Sequence, residues 1–177
     1  MRTTSKFACI ALTTGLAVGA IVGLAGPAGA ATTGGTDATF AITSGSLAIT
    51  VPTSPVALAT VATGALSASG QLGPVTVDDT RGALSNGWTT TVTSTAFTTG
   101  TSTTNETVSV GNVAYSSGAF TAHSGAGTFV AGSLVTAPSY TGGAGNSSTT
   151  WNPTLTFTLA ASQVAGTYSG TITHSVA

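Results

Sequence analysis

Apolar residues recur at every second position over short runs of this chain, with threonines and serines filling the positions between them. Val75 and Val77 alternate with Thr76 and Asp78. Trp88, Thr90 and Val92 alternate with Thr89, Thr91 and Thr93, and Leu155, Phe157 and Leu159 alternate with Thr154, Thr156 and Thr158. A period of two turns one set of side chains toward a core and the other toward solvent, which is the mark of a half-buried strand. The final run carries Tyr168, Gly170, Ile172, His174 and Val176 on one side and Ser169, Thr171, Thr173 and Ser175 on the other, so His174 falls on the apolar side. Further strands are expected over residues 39–42, 47–51, 56–61, 65–72, 108–110 and 128–130, with a tight hairpin at Ser44-Gly45 and breaks at Pro52, Pro55, Thr63-Gly64 and Gly73-Pro74. Residues 98–107, 115–127 and 141–148 are rich in Ser, Thr and Gly and read as loops. Turn signals spaced by about 8 to 12 residues, with no 3.6-residue apolar stripe beyond the first thirty positions, predict an all-β fold, an antiparallel β-sandwich of the Ig-like kind.

Residues 75–97 form the stretch around which the rest is expected to be organised. Extending the first strand puts Asp79 and Arg81 on the face of the valines, where one charge is costly and two of opposite sign can pair. Gly82 and then Ser85-Asn86-Gly87 supply turn chemistry, so the runs on either side are expected to pair as two strands joined by a loop. Asp79 and Arg81 read as a structural ion pair pinning that loop, the alternative being a ligand site on it. Trp88 reads either as a core plug or as an exposed platform.

Composition sharpens the picture. Arg2 and Lys6, the apolar and small residues 7–25, and Ala28-Gly29-Ala30 have the form of an export signal, so residues 1–30 are expected to be cleaved. Residues 31–37 would then be a short linker and residues 38–177 a single domain, secreted, with no membrane span in the mature chain. Loss of Arg2 and Lys6 takes the net charge from −1 to −3 and leaves Arg81 as the one cation, which cannot follow a phosphate backbone, so nucleic acid is excluded as a partner. The single cysteine, Cys9, lies within the signal, which removes disulfides, cysteine-bound zinc and a cysteine nucleophile from the mature protein.

Chemistry is sparse. Four acids, two of them adjacent and pointing to opposite faces, give no pair facing across a cleft for hydrolysis. No Gly-x-Ser-x-Gly elbow accompanies His123 or His174, and His123 sits in a glycine-rich stretch. Two histidines more than fifty residues apart make a poor metal site. No enzyme activity, metal or cofactor is expected. A binding surface follows by elimination: an indole stacks on the C–H face of a sugar ring and threonine hydroxyls meet its hydroxyls, a composition present at Trp88 with Thr90 and at Trp151 with Asn152 and Thr154.

Val75-Thr76-Val77-Asp78-Asp79-Thr80-Arg81-Gly82, then Gly87-Trp88-Thr89-Thr90-Thr91-Val92, then Phe97, and finally Ala165-Gly166-Thr167-Tyr168-Ser169-Gly170-Thr171-Ile172-Thr173 resemble the WxL-domain family of Gram-positive surface proteins. Asp79, Arg81, Trp88 and Tyr168 match family positions, whereas Thr90 stands where the first motif has leucine and His174-Ser175-Val176 occupies the second motif without either of its named residues. The resemblance implies non-covalent attachment at the cell surface or cell wall, with peptidoglycan or another glycan as partner and Trp88, Thr90, Tyr168 and His174 as the candidate ligand-binding residues. The abundance of Ala and Gly beside a single lysine suits a high-GC genome and an actinobacterial source. A second expectation is a structural or adhesive subunit that pairs with other surface proteins through its sheet edges, because the strands lack the lysines that usually guard an edge.

Overall fold

The computed structural model describes residues 33–53, 55–134, 136 and 138–177. The chain divides into a unit Met1–Phe40, whose described residues 33–40 are exposed and without regular structure, and a unit Ala41–Ala177 that holds all the strands. The expected export signal and Cys9 lie outside the described residues.

Among the described residues thirteen strands follow in order: β1 (Leu47–Thr50), β2 (Ser67–Gln71), β3 (Val75–Asp79), β4 (Asn86–Ser94), β5 (Phe97–Thr98), β6 (Thr107–Val108), β7 (Val113–Ser116), β8 (Phe120–Ser124), β9 (Thr128–Val130), β10 (Ser139–Gly143), β11 (Ser147–Trp151), β12 (Thr154–Thr158) and β13 (Ile172–Val176). One layer has the order β1-β3-β11-β8 and the facing layer β13-β4-β10-β9, every pairing being antiparallel. A third sheet, β2-β12-β7, follows β3 and β11 across Gly73-Pro74 and Asn152-Pro153. A proline cannot donate to a ladder, and the junction is stitched instead by Gly73 N donating to Asn152 Oδ1 (3.1 Å) and Leu72 N to the Pro153 carbonyl (2.8 Å). The all-β antiparallel sandwich expected from the alternation is therefore the fold.

Two apolar clusters fill it. Val75, Val77, Trp88, Tyr140 and Trp151 make one, and Val92, Phe97, Val108, Val113, Tyr115, Leu155 and Phe157 the other. Each comes from inward positions of facing strands, as the period of two requires.

Three expectations are corrected. Residues 39–42 form no strand, and Ser44-Gly45 is no hairpin. Gly45 N donates to the Thr80 carbonyl (2.8 Å), and Leu47–Thr50 pairs with β3 rather than with the residues before it. Residues 56–61 likewise form no strand; they cross β2, where a side chain on Gly70 would collide with the Leu58 carbonyl. Thirdly, β3 and β4 do not pair with each other: they face one another from opposite layers, so Val75 and Val77 bury against Trp88 instead of lying beside it. Both strands are apolar on one face only, and opposing those faces removes both from water at once.

The crossings between layers gather at one end. The β3–β4 loop, residues 80–85, and the β10–β11 loop, residues 144–146, hold each other through Gly145 N to the Ala83 carbonyl (2.9 Å) and Asn86 Nδ2 to the Gly145 carbonyl (2.7 Å). The β8–β9 crossing passes through Gly125 and Gly127, at φ 96° and 127°, a region L side chains seldom enter.

Candidate interaction surfaces

Asp79 ends β3 wholly buried, and its carboxylate accepts from Arg81 N (3.0 Å) and Nε (2.9 Å) at Oδ1 and from Nη2 (2.7 Å) at Oδ2. Nη2 also donates to the Gly87 carbonyl at the start of β4 (2.8 Å). The side-chain hydrogen bonds of Arg81 hold the Asp79 carboxyl below the ordinary carboxylate range against the opposing effect of burial. Since both guanidinium contacts are internal, the pair clamps the layer crossing, and the structural reading of Asp79 and Arg81 is the one the geometry supports.

The ligand-platform reading of Trp88 and Thr90 is corrected by their burial. Trp88 is 3% exposed, stacked on Tyr140 (centroids 5.6 Å apart, planes at 14°) and on Trp151 (6.0 Å, 19°). Thr90 is fully buried, its hydroxyl donating to the Pro138 carbonyl (3.0 Å). Trp151 is also fully buried, so neither indole offers a face to a sugar. Strand β4 is central in its layer, with β13 on one side and β10 on the other, and a central strand facing a second layer has no wet face on its apolar side.

His174 pairs with Val92 in the β13–β4 ladder and is partly buried. Trp151 Nε1 donates to Tyr115 Oη (3.0 Å), leaving the Tyr115 hydroxyl proton to be donated to His174 Nε2 (3.1 Å). That assignment puts the imidazole proton on Nδ1, which finds no partner among the described residues. Burial lowers the His174 pKa to about 4 and pushes that of Tyr115 up to about 12, so both are neutral near pH 7. This row of three polar groups is an interior network linking the two clusters. His123 lies in β8 rather than in a loop, its ring nitrogens 2.9 Å from Thr149 Oγ1 and from the Gly125 carbonyl.

Tyr168 is the one candidate that lines a cleft, one of about 690 Å³ whose walls also include Val56, Leu58, Phe97, Phe157 and Val164. Its hydroxyl lies 3.0 Å from the carbonyls of both Asn105 and Val164. Beside Asn105 opens a separate cleft of about 480 Å³, which Tyr168 does not line and whose walls include the neutral hydroxyls and amides of Ser102, Thr107, Asn112, Ser162 and Gln163. Its rim is ordered by Glu106, whose Oε2 accepts from Thr103 N (2.9 Å), Thr103 Oγ1 (2.7 Å) and Thr101 Oγ1 (3.0 Å), bonds that lower its pKa. Trp88, Thr90 and His174 belong to the interior and Tyr168 to this end, so the four expected ligand residues do not converge on one site.

The sheet margins, the second expectation, carry no charge among the described residues. The orders of the three larger sheets leave β1, β2, β7, β8, β9 and β13 at edges, and none contains Asp, Glu, Lys, Arg or Pro. Coil borders one of them, where Ser117 N donates to the Gly132 carbonyl (2.9 Å) at the end of β7, whereas Leu58 lies over the face of β2 at Gly70 and not along its edge. Edge β13 lies next to β1. Edge β8 has β11 on its inner side and no backbone partner on its outer side among the described residues. Phe120 at its start is 49% exposed, and Val130 of edge β9 48%.

Among the described residues no three His, Cys, Asp or Glu side chains gather as metal ligands, and no helix is long and apolar enough to cross a membrane. Compared with protein-family models, curated proteins and solved structures, the chain matches none.

Proposed function

We propose that the chain is a secreted, non-catalytic structural subunit of the cell surface whose sandwiches associate through their sheet edges. The observation that carries this reading is the absence of any charged residue or proline from all six edge strands. An edge displays a row of unpaired N–H and C=O groups, and single-copy proteins guard it with lysine, proline or a covering segment. Here, among the described residues, only β7 has coil hydrogen-bonded alongside it. Four of the charged groups lie away from the edges and are engaged there: Asp79 holds Arg81, Asp78 accepts from Ser148 Oγ (2.6 Å) and Glu106 orders a turn, while His174 of edge β13 is neutral and inward. Secretion rests on the signal-like residues 1–30. The test is to place a lysine on one edge at a time, Thr121→Lys in β8 and Ser175→Lys in β13. Loss of multimers with one of them supports edge pairing, and multimers unaffected by either oppose it.

The neutral cleft beside Asn105 favours a second reading, attachment to cell-wall glycan as the WxL resemblance implies. Hydroxyl and amide walls can exchange hydrogen bonds with sugar hydroxyls without stranding a charge. Saturable co-sedimentation with peptidoglycan sacculi, lost in Asn112→Ala with Gln163→Ala, supports this reading; protein left in the supernatant rejects it.

A further inference from the structure

Two unpaired features of the chain complement each other. Residues 39–43, Thr-Phe-Ala-Ile-Thr, alternate as a strand does, yet make no ladder, and Phe40 and Ile42 are 89% and 86% exposed. Two residues apart on an extended backbone, these side chains share one face, and Thr39, Ala41 and Thr43 share the other. The second feature is the flank where β8 and β9 end their layers. There Phe120 meets Phe129 edge-on (6.3 Å, 89°) and His123 at 5.6 Å, so the interior reaches the surface between the two edges. Thr121, Ala122 and Ser124 of β8 are exposed as well.

We infer that residues 39–43 of one copy add as a strand to edge β8 of a second copy, with Phe40 and Ile42 entering the flank at Phe120 and Phe129. The inference rests on the edge-pairing reading and names the partner: another copy of this chain. Length agrees, since β8 has five residues and the segment offers five. Charge agrees too, because neither strand carries any, so no like-charge pair or buried ion opposes the addition. Main-chain hydrogen bonds along the edge would supply affinity, and the two apolar side chains the register. The alternation fixes the orientation of the added strand. Ala122 is opposite Thr150, whose hydroxyl meets Thr76 Oγ1 (2.8 Å) on the outer face, so Ala41 and Thr43 of the incoming strand lie on the face of Ala122.

The experiment uses the full chain expressed for export, with Cys9→Ser removing the one native thiol. Ala41→Cys or Thr43→Cys in one preparation is mixed with Ala122→Cys in another and oxidised, and multimer size is followed for the parent and for Phe40→Asp with Ile42→Asp. The inference expects a disulfide between the two differently labelled chains. It also expects the aspartate variant to need at least tenfold more protein to assemble while melting as the parent does, since both side chains are exposed in the single copy. If the parent assembles and the aspartate variant assembles equally, with no cross-link, the strand addition is wrong and edge pairing stands through another edge. A parent that stays single at every concentration overturns both. In a third preparation, with Ala41→Cys and Ala122→Cys in the same chain, a disulfide that closes within single copies, without multimers, shows that the segment closes on its own β8 and overturns the inter-copy addition.

Discussion

Replacing Arg81 by alanine removes both side-chain donors from a wholly buried carboxylate and the bond to the Gly87 carbonyl, while Arg81 N, 3.0 Å from Oδ1, stays in place. Breaking a buried ion pair by deleting one partner costs about 3 to 5 kcal/mol, and the arginine's 36% side-chain exposure argues for the lower end, so about 3 kcal/mol is expected at pH 7. In a domain of this size that corresponds to a fall of about 10 °C in melting midpoint. The pH dependence gives the cause away. In the parent, Asp79 has its pKa lowered below its ordinary 3.8, so its contribution is present above that pH and lost as pH falls through the folded value. Without the guanidinium, burial is the main influence left and raises the folded pKa, so the variant gains stability on protonation. The deficit should therefore shrink as pH falls from 7 to about 3.5. Asp79→Asn combined with Arg81→Met should recover most of the loss by removing the stranded charge. Urea unfolding of the three proteins at both pH values is the assay. A single variant within about 0.5 kcal/mol of the parent, or a deficit independent of pH, would refute the clamp.

The His174 pKa of about 4 lies below its ordinary 6.5, so its contribution is complete above pH 6.5 and is lost as pH falls toward 4, amounting to about 3 kcal/mol. Urea midpoints between pH 7 and 4 should slope downward, and the slope should flatten in His174→Phe; equal slopes would place the ring in water. Trp88→Ala should cost about 4 kcal/mol and disturb the near-ultraviolet spectrum, because it opens a hole between Tyr140 and Trp151. Trp88→Phe should cost less than half as much, since it also removes an indole N–H that has no partner among the described residues; an alanine variant with parent stability would contradict the stack.

Strands with large apolar residues at alternate positions were legible. Val75, Trp88, Val92, Leu155 and Phe157 all face inward, and the Asp79–Arg81 pair followed from the face they share with the valines. Strands built from small polar residues were not legible. Ser147 and Thr149 of β11 are buried beside Trp151, and Gly143 closes β10, so a stretch that reads as a polar loop is two strands of the sandwich. Periodicity of apolarity cannot find a strand whose inward positions are Ser and Thr. It is equally blind to partner choice: the same alternation suits β3 beside β4 or β3 opposite β4, and the clamp between Arg81 and Gly87 belongs to the second. Trp88 misled for a related reason. A tryptophan opening a strand has the same neighbours in sequence whether its strand lies at an edge or, like β4, between two others. The uncharged edges, by contrast, could be read directly, because charge needs no register to be counted.

Sedimentation velocity of the exported chain over a hundredfold range of concentration tests edge association most directly. The account predicts species larger than one copy whose share grows with concentration and falls when Thr121 is replaced by lysine. A single boundary of one-copy mass at every concentration would contradict it.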